Sequence, residues 1–585
     1  MDQAALLSRL RSIAGRGHVL TDDKQTLPYR TGFRYGSGAA LAVVRPGSLV
    51  EHWRVLNVCV AANVIVIFQA ANTGLTGGST PDGDDYDRPV VIISTSRLKG
   101  IHLIDDGRQV ICLPGATLHE LERRLRPIGR EPHSVIGSSC IGASVLGGIC
   151  NNSGGSLIRR GPAYTEAALF ARLDANGSLE LVNHLGFDLG STPEEILSRI
   201  ERGELAAQAA ANADTAGNAD AVPARCSNDD YAQRVREIDA STPARFNADP
   251  RGLFETAGCA GKLAVFAVRL DTFPKDEESR VFYVGTRDPA ELTALRRHML
   301  SQFASLPVAA EYMQRDCFDV AECYGKDMFY MIRWLGTERL PRFFALKRRF
   351  DSVVSARGLR WLSSDRVLQA LSRCLPAHLP DRMKVFRARY EHHLTLKMSG
   401  SGIAEARNEF GRRFPSAAGD FFECTAEEGE KAFLHRFVAA GAAIRYAQVH
   451  AREVQDILAL DVALARSDPD WNEVLPMDLQ QKLHRSLYYG HFFCHVFHRD
   501  YIVRKGCDVQ ALKEQLLKRL DAQGAEYPAE HNVGHLYRAK PALVQFYQAL
   551  DPCNAFNPGI GQTSRRADWR SEFDGERKLH MPRLE

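Results

Sequence analysis

The residues best suited to proton or metal chemistry gather in two late stretches. Gly490 to His498 reads GHFFCHVFH, and Ala529 to Tyr537 reads AEHNVGHLY. His491 and His498 are seven residues apart, and Glu530 and His531 are adjacent. Imidazoles near a carboxylate can hold a proton, move one, or ligate a metal, and two histidines with one carboxylate leave an open position for substrate. The ordinary fate of a lone histidine is a hydrogen-bonded core or surface residue. That reading is weaker for Glu530-His531, which lies in a dense Gly/His/Tyr segment. Phe492 to Phe497, FFCHVF, reads as a strand, and an ideal strand would not carry His491, His495 and His498 on one face. The spacing therefore leaves metal binding and direct hydrogen bonding both open.

A different chemistry is written between Pro132 and Arg160, PHSVIGSSCIGASVLGGICNNSGGSLIRR, with six glycines, six serines and two asparagines. Glycine at this density costs backbone entropy and removes packing side chains. Chains tolerate it where the backbone must approach a ligand closely, often an anion met by N–H groups. A flexible linker would lack the interleaved Ile, Val, Leu and Cys. A second glycine loop, Ala70 to Thr80 (AANTGLTGGST), follows the apolar run VIVIFQ directly.

These residues must be positioned by a large soluble frame. At 585 residues the chain is long enough for about three to five domain-sized units. Its net charge of +3 requires any electrostatic partner to be met by a local patch. The thirteen cysteines are scattered without a CxxC, which argues against a disulfide framework or zinc ribbon and fits a reducing compartment. Met1 to Leu20 has helical periodicity interrupted by charge, so it reads as an amphipathic helix and not a signal peptide. No run approaches the roughly 20 apolar residues of a spanning helix, so the expected protein is soluble or lies on a membrane surface.

Strands are predicted at Ala40–Pro46, Val64–Gln69, Val90–Ser94, Gln109–Leu113, within Tyr164–Val182 and at Lys262–Leu270, and mixed strands and helices farther on include Glu391–Met398 and Leu434–His450. Helices are predicted at Ser48–Asn63, capped by Ser48, and at Leu118–Leu125 after the PGAT turn. This is an α+β pattern, and it differs from the strand–GxGxxG–helix unit of a dinucleotide-binding fold. Residues 203–224 have few large apolar side chains and read as an exposed or mobile insertion.

The loops AANTGLTGGST, PGAT and IGSSCIGASVLGGICNNSGG together resemble the FAD-binding domain of the vanillyl-alcohol-oxidase/PCMH flavoproteins. The longer stretches RYGSGAALAVVRPGSLVEHWRVL, REPHSVIGSSCIGASVLGGICNNSGGSL, YEHHLTLKM, YPAEHNVGHLY and DPCNAFNPGIG are similar to the membrane-associated, quinone-dependent D-lactate dehydrogenase family of bacteria. The resemblance implies a PCMH-type FAD domain at 1–271, a cap built from 272–313, 390–427 and 452–521, a basic membrane-binding region at 314–389 with a further helix at 428–451, and a return to the FAD domain at 522–585. It implies FAD contacts from Ala70, Ala71, Asn72, Thr73, Gly74, Gly78, Ser79, Gly137, Ser144, Gly154 and Val265. No histidine or cysteine is identified as a covalent flavin anchor, although His133 and Cys140 are nearby, so FAD is expected to be non-covalent. The wider FAD-linked 2-hydroxy acid dehydrogenases carry a GHxGDGNxH motif and a later EH pair. The matching positions are His491, His498 and Glu530 as ligands of a divalent metal such as zinc, and His531 as the base. The segment FFCHVF departs from the GDGN-type turn. His393 and Arg382 are candidates for the substrate carboxylate.

The implied activity is respiratory oxidation of D-lactate to pyruvate, with electrons passed to ubiquinone or menaquinone at the cytoplasmic face of the inner membrane. Alternatives are another D-2-hydroxy acid as substrate, or a flavin-binding, membrane-docking protein without turnover. Arg342 to Arg389 holds twelve Lys/Arg against three Asp, interleaved with Phe and Trp. It reads as amphipathic helix suited to anionic lipids, where each basic residue contributes about 1 kcal/mol. The bland alternative is a solvated helix face. No RRM, KH or zinc-finger signature accompanies it, so no nucleic-acid partner is expected.

Overall fold

The computed structural model describes residues 1–133, 142–205, 225–228, 230–276, 278–335 and 364–570, with isolated positions between 336 and 363. Its backbone is three sheets. The first contains β1 (Val19–Leu20), β2 (Ala42–Val44), β3 (Ile65–Gln69) and β4 (Val90–Ser94) in the order β1-β2-β4-β3. Here β2, β4 and β3 run parallel, and the helix Leu49–Ala61 makes the crossover from β2 to β3. That helix starts where a serine can accept from an orphan N–H: the Ser48 hydroxyl takes the Glu51 amide.

The second sheet contains β5 (Ile101–Ile104), β6 (Gln109–Cys112), β7 (Arg130–Pro132), β8 (Ala168–Leu173), β9 (Leu179–Asn183) and β10 (Ala264–Pro274). Its order is β5-β6-β10-β8-β9, with β7 also on β10. The third sheet is antiparallel: β11 (Ser279–Thr286), β12 (Ala309–Gln314), β13 (His392–Ser399), β14 (Gly419–Glu423), β15 (Val454–Ala463), β16 (Leu483–His491) and β17 (Val496–Arg504) lie in the order β14-β11-β13-β12-β16-β17-β15. Alternation along its strands divides two cores. Tyr312, Leu394 and Leu396 face the helices Pro289–Gln302 and Gly402–Arg413, whereas Met313, Tyr489 and Ile502 face the helices Arg315–Tyr324 and Ala439–Val449.

The chain then returns to the first sheet. The Val66 amide donates to the Ala555 carbonyl at 3.0 Å, and Asn557 Nδ2 donates to the Gly78 carbonyl at 2.9 Å. The C-terminal segment thus pins the first glycine loop from behind.

The strand expected through FFCHVF is instead a hairpin turn. β16 ends at His491, Phe492–Cys494 form one 3-10 turn, and His495 adopts φ 57° before β17 begins at Val496. The turn is buried, with Phe492, Phe493 and Cys494 inaccessible. Its residues are therefore apolar, where an exposed turn would show Gly, Asn or Asp. Most of the 203–224 insertion, the first part of the basic segment (342–363 apart from isolated positions), and Gly137 and Cys140 fall outside the described residues.

Close approach within the hairpin fixes one position. A Cβ on Gly490 would stand 2.3 Å from the Val496 carbonyl oxygen. Gly490→Ala should destabilise the protein by about 1–3 kcal/mol, as overpacking does, read as a lowered urea midpoint. An unchanged midpoint would show that the two strands can separate freely at this point.

Candidate active site

Register builds the site. His491 on β16 lies opposite Glu311 on β12, and His498 on β17 lies opposite Asp461 on β15. Across the β16–β17 hairpin His491 pairs with Val496, so His498 is its diagonal neighbour on the same face. The two imidazoles stand almost perpendicular, with ring centroids 5.4 Å apart. The hairpin turn thus removes the objection that a straight strand raised against these two histidines. Glu530 and His531 arrive on the C-terminal segment, which runs along β15. The Glu526 and Ala463 backbones exchange hydrogen bonds, and the Glu530 amide donates to Asp461 Oδ2 at 2.7 Å.

Each histidine is oriented through one nitrogen. His491 Nδ1 is 2.7 Å from Glu311 Oε1, His498 Nδ1 is 3.3 Å from Asp461 Oδ1, and His531 Nδ1 is 2.8 Å from Asp461 Oδ2. That leaves the Nε2 atoms of His491 and His498 facing Glu530 Oε2, at 3.1 and 3.7 Å. Arg245 grips the other oxygen of Glu530, and Arg436 lies 3.0 Å from Glu311.

Glu311, Asp461, Glu530 and Arg245 are buried and the histidines partly so, and burial alone would neutralise such groups. It opposes the His491 imidazolium, yet Glu311 and Glu530 outweigh it and push the group up to about 10. Burial favours the neutral form of Glu530, but His491 and Arg245 bring it down to about 2. Asp461 is held well below the carboxylate range against the same burial, by His531 and His498, and His531 is raised in return by Asp461.

The donors suit a divalent metal. One ligand atom from each of His491, His498 and Glu530 lies within 4.8 Å of the others. Both imidazoles face a carboxylate at Nδ1, hydrogen-bonded for His491 and 3.3 Å away for His498, an arrangement that orients metal-ligating histidines and raises their basicity. His450, Glu453 and His484 form another group with donors within 4.8 Å of one another, at a half-exposed position where Tyr324 and Tyr446 hydroxyls occupy His450 Nε2 and His484 Nε2.

The glycine loops fit FAD. After β3 the chain turns through Asn72 at φ 51°, and the N–H groups from Ala71 to Leu75 have no acceptor among the described residues. Nothing lies within 4 Å of where a Gly74 Cβ would be. Such free, unshielded amides suit a pyrophosphate. Ser79 Oγ donates to Asn72 Oδ1, Ser144 caps the helix Val145–Cys150, and Val265 is buried in β10. Gly154 links the two halves: a Cβ there would stand 2.6 Å from Glu530 Oε1. The backbone of the glycine-rich stretch therefore touches the acid–histidine cluster.

Arg382 and His393 are placed elsewhere. Arg382 pairs with Glu428 at 3.2 Å and lies over the Phe422 ring, beside β14. β14 is four strands from β16, about 19 Å at the usual spacing. His393 packs against Phe318 and Tyr283, and burial lowers it to about 3, so it offers no cation to a carboxylate. Sequence reasoning missed Glu311, Asp461, Arg245 and Arg436. The first two had a signal: each is a lone acid in an apolar strand, AAEYM and LALDVALA.

The glycine loops and the three sheets define an FAD-binding oxidoreductase fold. Residues 40–179 match the family model "FAD binding domain", and residues 281–569 match "D-lactate dehydrogenase, membrane binding". The chain is similar to p-cresol methylhydroxylase solved with substrate bound, at a TM-score of 0.56 and 12% identity over 96% of both chains, a likeness of fold. It is 58% identical to the quinone-dependent D-lactate dehydrogenase of Escherichia coli K12, over 97% of this chain and 98% of that one. It is 54% identical to the enzyme of the same name from Haemophilus influenzae, over 97% of this chain and 100% of that one. The chain belongs to the quinone-dependent D-lactate dehydrogenase family.

Glu311→Gln and Asp461→Asn should each lower zinc affinity about 10- to 100-fold, as loss of an orienting carboxylate does, measured by competition with a chromophoric chelator. Zinc affinity equal to that of the parent in both variants would mean that the carboxylates do not tune the donors.

Proposed function

We propose that this protein oxidises D-lactate to pyruvate, with hydride passing to non-covalent FAD and electrons leaving to a membrane quinone. The observation that carries the reading is the contact of Gly154 with Glu530, which joins the flavin-side backbone to the groups that can handle the substrate proton. When bound, FAD supplies the two-electron acceptor. Ala70 to Gly74, Gly78 and Ser79 would surround its pyrophosphate, and Ser144, Gly154 and Val265 its ring side. The described residues offer no separate hydride acceptor.

His531 is the base in this account. Asp461 holds its ring through Nδ1, leaving Nε2 to take the hydroxyl proton of lactate. His491, His498 and Glu530 lie beside it. They would hold a divalent ion such as zinc, which when bound would polarise the substrate oxygen.

No helix among the described residues is long and apolar enough to cross a membrane. The helices Lys326–Leu335, Ser364–Ser372 and Asp381–Arg389 nevertheless present Trp334, Leu371 and Val385 at 64, 60 and 53% exposure. Arg333, Arg366, Arg382, Lys384 and Arg389 lie on the same helices. Aromatic and aliphatic side chains among bases suit an anionic leaflet. We place the protein peripherally on the cytoplasmic face of the bacterial inner membrane, where it would meet ubiquinone or menaquinone.

Purified protein loaded with FAD should reduce a short-chain quinone with D-lactate, and absence of turnover with any 2-hydroxy acid would refute the reading. His531→Ala, with FAD retained, should slow flavin reduction about 10²- to 10⁴-fold. A rate near that of the parent would remove His531 from the role of base. The protein should co-sediment with vesicles containing anionic lipid and much less with neutral ones. Equal binding to both would argue against electrostatic docking.

A further inference from the structure

The substrate proposed above is an anion, yet the site is lined by acids. Glu311, Asp461 and Glu530 stand in the row already described, and Asp500 lies two residues beyond His498 on the same face of β17. A carboxylate entering this group needs a cation that is not already neutralised. Arg245 is committed to Glu530 and Arg436 to Glu311. The two carboxylate candidates from the sequence, Arg382 and His393, lie elsewhere.

A tight turn at residues 31–37 supplies another. Thr31 and Ser37 pair as an antiparallel bridge, and the Gly32 amide donates to the Gly36 carbonyl at 2.8 Å. The turn closes so sharply that a Cβ on Gly32 would stand 1.9 Å from the Tyr35 carbonyl oxygen. It is fastened to the FAD loop: Asn72 Nδ2 donates to the Thr31 carbonyl at 2.9 Å, and a Cβ on Gly77 would meet the Tyr35 oxygen at 2.7 Å. The FAD loop is in turn fastened to the segment following His531. Thr76 Oγ1 donates to the Asn532 carbonyl at 2.8 Å, and the His535 amide donates to Thr76 at 2.9 Å. The turn, the glycine loop and the histidine segment are therefore three stacked layers. Phe33, Arg34 and Tyr35 form the exposed tip of the first. Among the described residues Arg34 has no hydrogen-bond or ion-pair partner. The Arg34 charge also contributes to the electrostatics of Asp500 and His531, in keeping with a turn tied through the glycine loop to the histidine segment.

We propose that Arg34 binds the substrate carboxylate, from a turn tied to the flavin loop, which is itself tied to the segment that carries His531. A guanidinium can accept a carboxylate in a two-pronged pair and fix its orientation. Held there, lactate would present its hydroxyl to His531. The inference rests on the reading that the substrate is a 2-hydroxy acid, but its test does not require turnover.

The test uses FAD-loaded full-length protein and propionate, which has the carboxylate of lactate without its hydroxyl, with propionamide as the neutral control. Binding is followed by perturbation of the flavin spectrum at constant ionic strength. Arg34→Met should weaken propionate about 10- to 100-fold, the cost of a lost charge-assisted pair, and leave propionamide unchanged. Arg34→Lys should fall between the two. In turnover Arg34→Met should raise KM for D-lactate more than it lowers kcat, and added guanidinium should recover part of the loss. Unchanged propionate affinity in Arg34→Met, or loss of FAD from that variant, would overturn the assignment. A parent enzyme that binds propionate through Arg34 and is not reduced by D-lactate would leave the carboxylate site standing and sink the substrate reading.

Discussion

The site depends on how five charges, three buried and two nearly so, are paired. Arg245, Glu530, His491, Glu311 and Arg436 form a chain of alternating sign, and none of them could be buried alone without a penalty of several kcal/mol. Each ion is stabilised by its neighbours, which holds Glu530 low and raises His491 against burial. Removing one member would strand the next. A buried pair of this kind is weak evidence for stability but strong evidence for placement. The chain draws residues from the third sheet, from the C-terminal return and, through Arg245, from the segment that follows the insertion near residues 203–224.

That dependence explains how two separate parts of the chain make one site. The strand register sets the histidines and their acids, and close backbone contacts set the glycine loops against them. Gly154 on Glu530, Gly534 on Thr76 and Gly77 on Tyr35 are all contacts that a Cβ would obstruct. The glycines let the loop half and the acid–histidine half come within hydrogen-bonding distance.

Much of this was legible in the residues. The strand Val90–Ser94, the helix Leu118–Leu125 and the Ser48 cap follow from local pattern and appear as expected. The glycine loops were legible because backbone approach leaves a compositional mark. Residue types in His491, His498, Glu530 and His531 were legible, but their geometry was not. The turn between the histidines is buried and apolar, so its periodicity imitates a strand. Glu311 and Asp461 reach the site only through strand order, across separations that no local motif spans. The same blindness misdirects Arg382. Its charge and its nearness in sequence to YEHHLTLKM point toward the site, whereas the sheet order sets it beside the opposite edge.

The account stands most directly on whether the acid–histidine cluster and the glycine loops act on one substrate. Anaerobic titration of the FAD-loaded protein with D-lactate measures this in a single spectrum. The account predicts full bleaching of the oxidised flavin band by D-lactate, with L-lactate far less effective. A flavin band unchanged by D-lactate, with FAD bound and the protein folded, would contradict it.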